Sequence, residues 1–370
     1  MRKSLEIAPL WLRAGAFTLA ALALALAQLA CSEQDLDGGR TVTDTVSGDW
    51  IRVYFTSPRY PDDGSRQGGI DEPLVAAIDQ AQTSVDVAAY ALDLQSVADA
   101  LIAAHARGVQ VRFVTESDNA DEEAVLALQD AGIPVIEDGR DEGLMHNKFV
   151  VIDRQWVWTG SWNLTWSETH RNNNNAVLIA SAALGANYSA EFEEMFAGRF
   201  GPASSAGTPH PHITIAFQSP GGQTREVALE NYFAPEDGVA AHLVAEIERA
   251  QSRIRFMAFS FTSDAIADRM IARARAGVAV QGVIEERNAE SEYGQYRRLR
   301  DAGLDVRLDG NPYLMHHKVI IVDDATVLLG SYNFTSSAER TNDENLLIIH
   351  DPEVAARFVA EFGRLYEQAR

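Results

Sequence analysis

Lysine is almost missing from this chain of 370 residues. Lys3 lies in a leader-like N-terminus, and only Lys148 and Lys318 remain beyond it. Arginine carries the positive charge everywhere else. A general bias toward arginine explains the scarcity, but not why both survivors sit in copies of one motif. Those two places call for a compact ammonium on a flexible stem rather than a planar guanidinium fork. Cysteine is scarcer still. Cys31 stands alone, which excludes an intramolecular disulfide. Long uncharged apolar runs are confined to residues 14–30, which argues against a protein with several membrane spans. Positive charge is in short supply overall. A net charge of −22 counts against a protein that grips nucleic acid by its phosphates, although a local positive cleft can exist inside an acidic molecule. A hydrophobic content of 46% with no long low-complexity tract is globular, and the length suits two domains.

Arg2, Lys3 and Arg13 precede an Ala/Leu-rich run from Ala14 to Ala30, the layout of a secretory signal over residues 1–30. The run ends Gln28-Leu29-Ala30-Cys31. This resembles the lipidation site of bacterial lipoproteins, with one departure: Gln28 stands where an aliphatic residue is usual. The resemblance implies lipidation at Cys31 and an exported, cell-envelope protein, with Ser32 fitting outer-membrane sorting; plain secretion and an uncleaved anchor are the alternatives. Residues 31–47 are polar and acidic and read as a tether.

The remainder is a repeat. Leu144-Met145-His146-Asn147-Lys148 recurs as Leu314-Met315-His316-His317-Lys318, and each is followed by an aspartate, Asp153 and Asp323. Ala81–Val85 recurs as Ala250–Ile254, and Phe55-Thr56-Ser57-Pro58 is matched to Phe217-Gln218-Ser219-Pro220. From Leu144 to Ile179 the spacing between copies is a constant 170. Apolar strand-length runs alternate with helical spacing in each copy, with Ser96 and Asp264 placed as helix caps. The fold class is α/β: two homologous lobes, 48–200 and 213–370, each a mixed β-sheet flanked by helices. The lobes are related by a pseudo-two-fold axis. A Gly/Pro/Ser-rich linker, 201–212, joins them.

In an extended strand, residues two apart share a side, so His146 and Lys148 point together while Asn147 points away. The same holds for His316, Lys318 and His317. Each motif is followed by a glycine turn bearing Ser161 and Asn163, or Ser331 and Asn333. If the lobes face one another, one cleft gathers two His, two Lys, two Ser and two Asn. That set suits a phosphodiester, with one His attacking phosphorus and the other protonating the leaving oxygen.

His-x-Lys-x4-Asp occurring twice, each followed by Gly-Ser-x-Asn, resembles the phospholipase D superfamily with its paired HKD motifs over about residues 50–370. The resemblance implies a metal-independent, cofactor-free reaction through a phosphohistidine. It assigns His146, Lys148, Asp153, His316, Lys318 and Asp323 to the catalytic motifs, with the two aspartates as supports. Ser161, Asn163, Ser331 and Asn333 line the phosphate. Glu344 occupies the family's usual place for a carboxylate that bonds a catalytic histidine. The first copy has Asn174 there, so the two histidines are not equivalent; His146 is expected to be the nucleophile, unless Glu344 contacts and raises His316. The leading expectation is hydrolysis of a phospholipid head-group phosphodiester, with the membrane as partner. The alternatives are a non-specific nuclease, a cardiolipin synthase-like phosphatidyl transferase and a non-catalytic binding lipoprotein. Loops Arg59–Asp71 and Gly221–Asp237 are expected to form the cleft rim.

Overall fold

The computed structural model describes residues 31–34, 41–62, 64–66, 68–204, 207–289 and 291–370; the signal-like segment lies outside them. Two mixed sheets form the frame. In the first lobe the strand order is Ile51–Phe55, Asn175–Ala180, Trp156–Gly160, Lys148–Ile152, Ser84–Ala89, Gln110–Thr115, Val135–Glu137. The second lobe repeats that order with Thr224–Ala234, Glu344–His350, Thr326–Gly330, Lys318–Val322, Arg253–Ala258, Ala279–Ile284 and Asp305–Leu308. In both, the motif strand is antiparallel to a strand that in turn runs parallel to its next neighbour.

Side-chain parity assigns each strand two cores. On the first motif strand, Val150 and Ile152 face a cluster private to the lobe, while Phe149 and Val151 enter a core shared by both lobes. On the second, Ile320 and Val322 face outward in the same sense, and Val319 and Ile321 join the shared core. Burial on both faces explains why these strands read as continuous apolar runs without alternation. The helices Ala182–Phe196 and Pro352–Gln368 carry residues into that shared core, and each begins on a side-chain cap, Ser181 and Asp351. Reciprocal pairing docks the lobes. His146 N–H donates to Asp343 O and Asp343 N–H to Leu144 O (3.0 and 2.9 Å), while His316 N–H donates to Asn173 O and Asn173 N–H to Leu314 O (both 2.9 Å). This is a two-fold, isologous interface within one chain.

Four sequence expectations are corrected. Residues 41–46, read as part of a tether, form a strand of the second sheet, because Thr41–Val46 alternates and buries Val42 and Val46. Cys31–Gln34 pairs with it along the edge. The repeat partner of Phe55 is Phe233, not Phe217: Phe55 pairs with Asn175 and Phe233 with Asn345, at the same register. His212–Gln218, which carries Phe217, is an added strand with no first-lobe counterpart, and the short Phe-x-Ser-Pro match was coincidental. Gly221–Asp237 is therefore mostly a sheet strand rather than a rim loop. Neither helix cap stands where expected: Ser263, not Asp264, caps Asp264–Arg275, and Leu94 precedes Gln95–Ala106, with Ser96 inside the helix and donating to Asp71. The linker is pinned where His210 N–H donates to Asn187 and the Asn187 amide donates to His210 O (both 2.8 Å).

Candidate active site

Each His-x-Lys motif enters its strand directly from the cross-lobe pairing, so the residues that dock the lobes also place the motif side chains. Met145 N–H donates to Glu116 and Met315 N–H to Glu285, both at 2.7 Å, which fixes the backbone just before each histidine. Burial and the neighbouring Asp138 and Asp309 push these two glutamates up to about 7. His146, Lys148, His316 and Lys318 are all buried, with 2–7% of their surface exposed, and converge where the lobes meet.

The histidines are held unequally. His146 Nδ1 lies 2.7 Å from Glu344 Oε2, so the second lobe's carboxylate serves the first lobe's ring. The alternative that Glu344 supports His316 is thereby overturned. Ser331 also donates to that oxygen (2.7 Å), and Asn342 donates to the other (3.1 Å). His316 Nδ1 faces Asn174 Oδ1 and Ser161 O, each at 3.1 Å. Both are acceptors, so Nδ1 carries the proton and Nε2 is left for chemistry. Burial lowers His146 to about 4, against the opposing pull of Glu344. Burial and the charges of Lys318 and Lys148 lower His316 well below its ordinary value. Burial thus biases both rings toward the neutral form.

The lysines bracket the site symmetrically. Lys148 Nζ donates to His146 O (2.7 Å) and lies 5.2 Å from the Tyr90 ring centre; Lys318 Nζ donates to His316 O (2.9 Å) and lies 4.8 Å from that of Phe259. The same rings stand edge-to-face with His146 and His316. Burial lowers Lys148 to about 8, and burial together with Lys148 lowers Lys318. The two buried ammoniums both feel the negative charge of Glu168 and Glu344. Ser161 and Ser331 touch the residues that hold the rings, Asn174 and Glu344. Asn163 Oδ1 and Asn333 Oδ1 are buried without partners. As acceptors they call for a hydrogen-bond donor, such as a water molecule or a substrate hydroxyl.

Asp153 and Asp323 are not at the reacting centre. At the far end of each motif strand, both adopt positive φ, and their carboxylates accept the backbone N–H groups of residues 82–84 and 251–253. Those bonds hold Asp153 below the usual carboxylate range and Asp323 at about 2. His317 and Asn147 occupy the opposite strand face, as parity requires. Each meets the other lobe's asparagine (Asn175 and Asn345, both 2.8 Å) and a glutamate of the long helix that ends its own lobe (Glu361 on Pro352–Gln368 and Glu191 on Ala182–Phe196).

The "Cardiolipin synthase, PLD-like domain" family model matches residues 74–196 and again 243–366, one match per lobe. The chain belongs to the phospholipase D-like family. Among its relatives, a phospholipase D of Rickettsia prowazekii is 32% identical over 127 residues, covering 34% of this chain and 62% of that protein. A mitochondrial cardiolipin hydrolase of Xenopus laevis is 33% identical over 132 residues, covering 36% of this chain and 63% of that protein. Either match thus spans less than two thirds of the relative. A solved phosphatidylserine synthase of Haemophilus influenzae shares the fold over both lobes, at TM-score 0.61 and 14% identity, covering 86% of this chain and 87% of that one.

Sequence reading of this phospholipase D-like chain missed Tyr90, Phe259, Glu116, Glu285 and Glu168. The first four were accessible in principle, since each pair stands 169 residues apart and aligns as a repeat. Glu168 has no such signal, because its counterpart is Ala338. Within Arg59–Asp71, Asp62 contacts both lobes: its N–H donates to the Tyr313 hydroxyl (3.2 Å), and its carboxylate pairs with Arg171 (2.9 Å).

Proposed function

We propose that this protein is a phosphodiesterase of phospholipase D type that hydrolyses a phospholipid head-group phosphodiester. The observation that carries the reading is the 2.7 Å contact of His146 with Glu344 across the lobes, in a buried site that also holds His316 and two ammoniums. Glu344 fixes the His146 proton on Nδ1, leaving the Nε2 lone pair free to attack phosphorus. Lys148 and Lys318 neutralise the equatorial oxygens as charge builds. The negative charge of the bound phosphodiester lets His316 take up a proton from solvent, and its Nε2 gives that proton to the leaving alcohol oxygen as the P–O bond breaks and the P–N bond forms. In the second step His316 takes a proton from water, the water oxygen bonds phosphorus, and His146 departs with its electron pair.

Relatives named phospholipase D and cardiolipin hydrolase support a phospholipid substrate, and the net charge of −22 disfavours nucleic acid. An envelope location with a lipid on Cys31 would keep the cleft near such a substrate; incorporation of labelled fatty acid into wild type but not Cys31→Ser tests that part. Purified protein is to be assayed with phosphatidylcholine, phosphatidylethanolamine, cardiolipin and single- and double-stranded DNA, with His146→Ala as the blank and with a chelator present. Release of head group in the chelated sample is expected. Turnover of DNA alone would replace this reading by the nuclease one.

A further inference from the structure

Glu344 has lost its repeat counterpart, since Asn174 stands 170 residues before it. Asn174 keeps the geometry: its Oδ1 accepts from Ser161 Oγ (2.9 Å) and faces His316 Nδ1, as Glu344 Oε2 accepts from Ser331 and faces His146. The difference is charge. Six residues earlier the sequence places Glu168, and the position equivalent to Glu168 in the second lobe is the buried Ala338. The Asn174 amide donates to Glu168 Oε2 at 2.6 Å, and that oxygen lies 3.4 Å from His316 Nδ1. Since a carboxylate only accepts, it sets the orientation of the amide and aims Oδ1 at the ring.

We propose that Glu168 is the positioning carboxylate of His316, transposed by six residues and acting through Asn174. The inference rests on the phosphodiesterase reading of the site. Two observations support it beyond the contact. The first is charge balance: Glu168 and Glu344 both act on Lys148 and on Lys318, so the pair of carboxylates offsets the pair of ammoniums; Glu344 alone would leave one buried cation uncompensated. The second excludes a plain capping role. Thr165-Trp166-Ser167-Glu168 has the form of a capping box, and Thr165 Oγ1 accepts from Glu168 N–H. Yet Thr165 N–H donates to Asn163 O (2.8 Å), and the Glu168 carboxylate is taken by Asn174 and Asn163 instead. The hydrogen-bonded chain from ring to amide to carboxylate polarises each link and favours the imidazolium that must protonate the leaving oxygen.

The test compares Glu168→Ala, Asn174→Glu and the double variant, which copies the second lobe's Ala/Glu arrangement. Two substrates separate the roles. A short-chain phosphatidylcholine releases an alkoxide that needs a proton; bis(p-nitrophenyl) phosphate releases a phenolate that does not. Glu168→Ala is expected to lose about 10–100-fold in kcat on the lipid while the p-nitrophenolate burst changes by no more than about 3-fold, and the double variant is expected to regain most of the lipid rate. Equal losses on both substrates, or none on either, would overturn the proposal. If the wild type turns over neither, the phosphodiesterase reading falls, and nitrogen NMR of His316 still decides the contact. A single Nδ1–H tautomer that becomes mixed in Glu168→Ala supports the positioning role; an unchanged spectrum overturns it.

Discussion

Glu344 of the second lobe accepts a hydrogen bond from His146 of the first, at 2.7 Å, with the carboxylate fully buried. Each motif histidine is held by a residue of the other lobe, His146 by Glu344 and His316 by Asn174. Glu344→Gln keeps the shape and removes the charge that holds the tautomer and offsets the positive charge the ring gains when its Nε2 bonds phosphorus. A fall in kcat of roughly 100-fold or more is expected, with a melting curve close to wild type, measured by head-group release and calorimetry.

His146→Ala and His316→Ala are each expected to abolish turnover, because nucleophile and acid act as a unit. They part in a trapping experiment. Acid-quenched phosphorus NMR or peptide mass mapping of wild type during turnover should find phosphate on His146. Phosphate on His316 would reverse the assignment of roles.

Lys148→Arg and Lys318→Arg test the argument from scarcity. Each ammonium is 2–3% exposed, lies over an aromatic ring and donates to the carbonyl two residues back. A guanidinium is larger and cannot occupy that place without displacing the ring. Losses of about 100-fold in kcat/KM are expected in a protein that still folds. Wild-type rates from both would sink the argument.

Asp153→Asn and Asp323→Asn should behave in the opposite way. Their carboxylates tie the start of a neighbouring strand, far along the motif strand from phosphorus. Their folded-state pKa values are depressed, so the stability they contribute is present above the ordinary carboxylate pKa and fades as pH falls through the lowered one. Near neutral pH the variants should melt earlier, and kcat per folded molecule should hold.

Glu116 and Glu285 give the reverse pH dependence. Burial raises both to about 7, so folding takes up protons and stability is lost as pH rises from the ordinary carboxylate pKa through that value. Glu116→Gln still offers Met145 N–H an oxygen and does not titrate. Its melting temperature should gain on wild type across that window and level off above it, a comparison readily made by thermal shift across buffers.

The repeat, the two-lobe α/β class and the face carrying His146 and Lys148 were legible because strand parity and a constant spacing are local, periodic properties of the chain. The Phe217 match failed where periodicity gave way to four residues of chance likeness; only the register of Phe55 on Asn175 and Phe233 on Asn345 identifies the true pair. The strand Thr41–Val46 was likewise hidden, since its partner, His212–Gln218, lies far along the chain.

Sequence by itself determined which groups the two motifs bring to the proposed site, because strand parity and a constant repeat spacing put each His and Lys on one face. Tertiary structure alone decided who supports whom. The pseudo-two-fold contact crosses the lobes, so Glu344 faces His146 rather than its own His316, and it folds Glu168 back through Asn174 onto His316. Short-range pattern carries no information about such contacts. They are set by the packing of two sheets on a shared core, which brings together side chains with no periodic relation in the chain.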